Sequence, residues 1–320
     1  MAGEMCKGCD STTALFLRPM LKCRQTETRL RDHAMQHANP NSRKTAAQSA
    51  WLWRAWGAAF AGWCVAVCAA AEPAIYLLGE VHDNPEGHAL RLEQIAEIVR
   101  SAPQPVIAME QFDRERQADL SAAQQDCPDA ACVIARAGTK GWDWDFYKPV
   151  IDLALRQRIP LLAANVSSRD ARLVVRDGVS AALSAPLRKA FGLDAGVPPE
   201  VDAIQREAVF QGHCRMVPKS ALGSMALAQV ARDVWMAHVL REHPQSTVLL
   251  LAGNGHVRKD AGVYHWLSPQ ERQRTQVHAY LEGPQPADAA LFDRVHPIAA
   301  MDREDLCAPF RIPADKVLQP

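Results

Sequence analysis

The stretch Ile75-Tyr76-Leu77-Leu78-Gly79-Glu80-Val81-His82-Asp83-Asn84 changes character three times. Ala74 to Leu78 is a short apolar run containing Ile and Tyr, the pattern of a buried strand. Gly79 ends it and lets the backbone turn or approach a ligand closely. Glu80 and His82 follow at i and i+2, which in extended chain places them on one side. Asn84 then caps a helix whose first position is Pro85. Strand, polar turn and helix in that order open an α/β unit.

The same grammar repeats downstream. Leu92, Ile95, Ile98 and Val99 give the first helix an apolar face. Pro105 to Met109 reads as a strand ending at Glu110, Asp113 to Gln125 as a polar helix, and 145–158 as another helix. Pro160 to Ala164 reads as a strand ending at Asn165. A helix-rich block over roughly 168–243 follows, punctuated by Pro186, Pro198-Pro199 and Pro218. Thr247 to Ala252 is a further strand, and Gln276 to Leu281 a last one. Strands separated by helices predict an α/β fold with a mostly parallel sheet flanked by helices. The helical block reads as an insertion capping the carboxyl end of the strands.

Polar chemistry collects where the strands stop. Leu77-Leu78 runs into Gly79-Glu80-Val81-His82, Met109 into Glu110, and Leu251-Ala252 into Gly253-Asn254-Gly255-His256. In open parallel sheets the ligand crevice lies outside the carboxyl ends of the strands. A lone Glu or His after a strand most often caps a helix or sits on the surface. Two Gly-x-x-His motifs and a Glu at three strand ends argue instead for one shared site of Glu80, His82, Glu110 and His256. A Glu buried beside another Glu has a raised pKa unless a cation intervenes. Imidazole and carboxylate also suit several divalent ions, and His82, His256 and Glu80 are the metal-ligand candidates. If the site is hydrolytic, Glu80 or Glu110 is the general base. Asn165, Asn254 and Arg258 stand where they could touch a ligand. His213 could line the site, or be a hydrogen-bonded buried His. Arg232 and Asp233 could form an internal ion pair or line the site.

The 320 residues carry 36 basic and 36 acidic side chains, so no charge excess points to nucleic acid. Trp51 to Ala71 pairs Arg54 with an apolar stretch ending in Ala69-Ala70-Ala71, a signal-peptidase pattern. The expected exported chain starts near Glu72, in the periplasm or at the outer membrane; residues 1–34 are long for an n-region, which makes Met35 a candidate for the translation start. A retained anchor would instead associate the chain with a membrane through this segment. Cleavage leaves Cys127, Cys132, Cys214 and Cys307, an even number that permits two disulfides. Cys127 and Cys132 flank Pro128-Asp129 and could close a small loop; four free buried thiols are the alternative.

The string from Ile75 to Asn84 resembles the opening motif of the ChaN-like haem-binding uptake proteins of the Tiki-type superfamily. Further matching segments are Glu110 to Asp113, Gly141-Trp142-Asp143-Trp144 with Tyr147, Ala164-Asn165, and His213-Cys214. Ala228-Gln229, Arg232-Asp233 and Met236-Ala237 follow, then Ala252 to Arg258 with Gly262-Val263. The resemblance spans about 74–268 and implies one ChaN-like α/β domain over 72–320. It implies haem as cofactor and a role in iron uptake, with metal-dependent hydrolysis as the alternative that some relatives suggest. Family haem ligands are Tyr and His, which makes Tyr76, Tyr147, Tyr264 and Tyr280 candidates. Tyr264, just past the second Gly-x-x-His loop, joins the cofactor-binding set. A homodimer is compatible with this reading.

Overall fold

A computed structural model of the chain describes residues 74–283, 290–305 and 307–310. The expected signal segment, with Ala69-Ala70-Ala71, lies outside the described residues. Six strands form one sheet in the order β3-β2-β4-β1-β5-β6, and every neighbouring pair is parallel. They are β1 (Ile75–Leu78), β2 (Val106–Asp113), β3 (Leu161–Asn165), β4 (Val248–Leu251), β5 (Thr275–Glu282) and β6 (Arg294–Ile298). β1 is central, pairing Ile75 with Val248 on one side and Thr275 on the other.

Alternation along the strands divides the core in two. Ile75 and Leu77 point into one cluster with Val106, Ala108, Val248 and Leu250. The long helix α8 (Lys219–Arg241) covers that face with Val230, Val234, Ala237 and Leu240, all buried. Leu78 joins Ile107, Met109, Leu249 and Leu251 on the other face. That face is covered by α1 (Pro85–Ser101) and α4 (Lys148–Gln157). Burial on both faces is what parallel strands require. The remaining helices are α2 (Gln117–Asp126), α3 (Ala130–Ala137), α5 (Ser168–Asp177), α6 (Ala185–Ala190), α7 (Pro199–Gly212), α9 (Asn254–Val257) and α10 (Pro269–Gln273). No helix among the described residues is long and apolar enough to cross a membrane.

Local chemistry sets the boundaries. The Asn84 side chain accepts from the Gly87 N–H, with Pro85 at the first helical position. Ser167 caps α5, and Ser268 forms a capping box with Glu271 on α10. Two boundaries differ from expectation. β2 continues past Met109 to Asp113, because its pairing with β3 shifts register and resumes at Asp113 opposite Asn165. The helix expected from Asp113 therefore begins at Gln117, after one turn of 3-10 helix. β6 escaped the sequence reading. It is an edge strand with Pro297 and a mostly exposed pattern, and such strands carry no apolar run.

Both disulfides form. Cys127 bonds Cys132, closing the loop before α3, and Cys214 bonds Cys307. The second ties the end of α7 to the C-terminal segment. That segment is also clasped to the β1–α1 turn: Arg303 forms ion pairs with Asp83 and Glu282, and Ala299 bonds Asn84 and Glu86.

Candidate functional site

β1, β2 and β4 are neighbours, so their carboxyl ends bring Glu80, Glu110 and His256 to one region. Each imidazole of the two Gly-x-x-His motifs is held by a buried carboxylate, but the carboxylates have different partners.

Glu80 is 3% exposed. Its Oε1 accepts from His82 Nδ1 at 2.6 Å, the Tyr147 hydroxyl at 2.6 Å and Gln111 Nε2 at 3.2 Å. Its Oε2 pairs with the Arg91 guanidinium, which is buried on α1. Burial alone would raise the Glu80 pKa. The Arg91 charge, the His82 bond and the His82 charge outweigh it, and the pKa falls to about 2. The rise expected of a buried glutamate is thus reversed at Glu80, because the Arg91 guanidinium lies against it. Arg91 was missed in the sequence. Its signal was spacing: His88, Arg91, Ile95 and Val99 fall on one buried stripe, and a buried Arg demands a partner.

His82 is the exposed member, with half of its side-chain surface open to solvent. Nδ1 is taken by Glu80, and Nε2 has no hydrogen bond among the described residues. Trp142 lies edge-on to the ring at 5.1 Å between centroids. A Cβ at position 253 would lie 3.1 Å from His82 Cε1 and Nε2, so Gly253 leaves the ring its place. Burial lowers the His82 pKa, but the Glu80 bond and the Glu80 and Glu110 charges bring a net rise.

His256 sits deeper. Its Nδ1 is 2.6 Å from Asp233 Oδ1 on α8, and its Nε2 is 3.5 Å from Glu110 Oε1. Glu110 Oε2 accepts from the Gly253 N–H at 2.9 Å. Asp233 is fully buried and its Oδ2 accepts from Gln205 of α7 at 3.0 Å. Burial disfavours the charged His256 ring, but Glu110 and Asp233 on its two sides raise the pKa to about 9. Burial pushes Asp233 up to about 6 against the pull of His256. Asp233 and Glu110 on its two sides favour the protonated His256 ring, which suits it to donate a proton. Asp233 supplies the internal pairing, but to His256, and Gln205 is a partner that no motif marked.

The other candidates scatter. His213 bonds Val209 O at 2.8 Å and lines, with His256, Gln205 and Arg258, a cavity of ≈ 280 Å³ between α7 and α9. Arg258 is engaged bidentately by Asp260 rather than by Glu80 or Glu110. Asn254 is structural: its amide bonds Tyr280 O at 2.7 Å and accepts from Tyr280 N at 3.2 Å, pinning the Gly253 loop to β5. Asn165 is buried at the end of β3 beside Asp113, with Oδ1 unpartnered among the described residues. Tyr264 lies under Lys259 and Arg272, away from the glutamates. Tyr147 and Tyr280 are fully buried with their hydroxyls bonded to Glu80 and Gln94, and burial raises both pKa values. The metal trio of His82, His256 and Glu80 does not assemble, since the Glu80 oxygens are consumed by Arg91, Tyr147, Gln111 and His82. Among the described residues no group of three His, Cys, Asp or Glu side chains could hold an ion.

The fold is an α/β protein with two strand-end imidazoles at the carboxyl edge of a parallel sheet. The family model described as "Haem-binding uptake, Tiki superfamily, ChaN" matches residues 66–267, and the chain belongs to that family. Its fold is similar to the structure described as "Cofacial heme binding to ChaN of Campylobacter jejuni". That likeness has a TM-score of 0.52 at 20% identity, over 67% of this chain and 84% of that one. An erythromycin esterase, EreC in its open conformation, superposes at a TM-score of 0.41 and 14% identity, over 70% and 73% of the two chains. The second likeness is too low to carry any argument. A comparison with curated proteins gives no match.

Proposed function

We propose that this protein binds haem through His82 and serves haem or iron acquisition outside the cytoplasm. The observation that carries the reading is the state of the His82 ring. Nδ1 is fixed by a buried, ionised Glu80, and Nε2, on a half-open surface, has no hydrogen-bond partner among the described residues. A carboxylate behind an imidazole sets its tautomer and strengthens it as a ligand. Haem supplies an iron that takes such a nitrogen and an apolar face that Trp142 could cover. The tyrosines fit less well: Tyr147 and Tyr280 spend their hydroxyls internally, and Tyr264 stands apart.

Haemin added to the purified protein should give a saturable Soret shift. His82→Ala should abolish it or weaken binding at least ~100-fold, a loss of about 3 kcal/mol. His256→Ala should change it far less. An unchanged titration in His82→Ala would overturn the assignment. One feature favours a hydrolytic activity instead, the Asp233–His256–Glu110 chain beside the α7 cavity. Absence of any Soret change, together with ester or peptide hydrolysis lost in His256→Ala, would replace the haem reading.

Export rests on the Trp51 to Ala71 pattern and is consistent with the paired cysteines. Mass spectrometry of periplasmic material should find Glu72 as the first residue. Material retaining residues 51–71 would count against cleavage.

A further inference from the structure

The face of the sheet under α1 should be apolar, yet at its β5–β6 edge it is not. Gln276, His278 and Tyr280 project there from β5 at period two, and His296 joins them from β6. His278 is 2% exposed, so its polarity is costly unless used. Its Nδ1 lies 3.2 Å from His296 Nε2, and the rings stack at 5.4 Å. Gln94 of α1 reaches the same Nδ1 with its amide, while also receiving the Tyr280 hydroxyl. His278 Nδ1 thus stands between two nitrogen groups, His296 Nε2 and the Gln94 amide.

We propose that His278 Nδ1, His296 Nε2 and the Gln94 side chain form a binding site for a divalent transition metal of the zinc or copper type. Two nitrogens each about 2.0–2.1 Å from one zinc ion at tetrahedral angles stand a little over 3 Å apart, the spacing present here. The amide oxygen and nitrogen of Gln94 exchange places by a simple flip, which turns an acceptor toward the pair. Imidazole suits zinc and copper. Burial and the facing His296 push His278 down to about 4, and burial and Arg294 lower His296. His296 is only partly buried and Gln276 is exposed, which leaves an entry from solvent. The group lies on β5, β6 and α1, apart from His82, and nothing in the haem proposal uses it.

The test is calorimetric titration of the haem-free protein with Zn²⁺ alone, repeated on His296→Ala. His296 is the ligand to change, since His278 lies in the core and its loss could unfold the sheet. Zn²⁺ should bind one per chain, and His296→Ala should weaken it by more than the roughly 10–100-fold typical of outer partners. Zn²⁺ should also raise the melting temperature of the wild type but not of His296→Ala. Electron paramagnetic resonance with Cu²⁺ should show two nitrogen ligands, reduced to one in the variant. No binding, equal binding by both proteins, or binding lost in His82→Ala but kept in His296→Ala would each overturn the site.

Discussion

Arg91→Met should destabilise the protein by about 3–5 kcal/mol at pH 7, measured by denaturant unfolding. Met keeps most of the volume but removes the guanidinium that pairs with Glu80, whose side chain is 1% exposed. Glu80 then remains as a buried charge with only neutral donors and His82. The wild-type pKa near 2, against an ordinary 4.5, means that Glu80 binds its proton less readily folded than unfolded. Its contribution, about 3 kcal/mol, is present above pH 4.5 and lost as the pH falls toward 2. In the variant that depression disappears, so Glu80 takes up a proton at higher pH and sheds its charge. The gap between wild type and variant should therefore narrow between pH 7 and pH 3. A loss under about 1 kcal/mol at pH 7, or a gap independent of pH, would refute the role given to Arg91.

Cys307→Ser should be the other costly change. The Cys214–Cys307 bond joins residues 93 apart, and closing so long a loop restricts the unfolded chain by about 4–5 kcal/mol. Cys127→Ser opens a loop of separation 5 and should cost only about 2 kcal/mol on the same account. Cys214 and Arg215 both hold left-handed φ, +56° and +61°, which disfavours non-glycine residues. Releasing the bond lets that turn relax and offsets part of the loss, so the measured value should fall at or below the lower figure. Thermal melts of both variants under oxidising conditions check the order. Cys127→Ser proving the more damaging would reject it.

Much of the fold could be read from residues alone because parallel strands announce themselves. Each central strand is a short apolar run, and each carboxyl end is marked by Gly, Glu or His. The edge strand β6 gave no such mark, since an exposed strand with Pro297 needs no apolar run. Of the site, the residues on strand-end turns were legible: Glu80, His82, Glu110 and His256. What could not be read was which partner each would choose. Arg91, Gln205 and Asp233 come from helices, and their roles depend on how those helices lie across the sheet. Arg258 and Asn254 show the converse. They sit in the right motif, yet nearer partners, Asp260 and the Tyr280 backbone, hold them for structure.

The central place of β1 has a kinetic side. Among the described strands the first in the chain pairs with those starting at Val248 and Thr275, and not with β2 or β3. Until those late segments emerge, Ile75 to Leu78 has no edge to join and Glu80 has no pocket to enter. Closing such distant contacts requires large loop entropy before any reward, which slows folding. The proposed ligand site is accordingly among the last parts of the described fold to exist, and a ribosome-bound fragment ending before β4 lacks the His256 side of it.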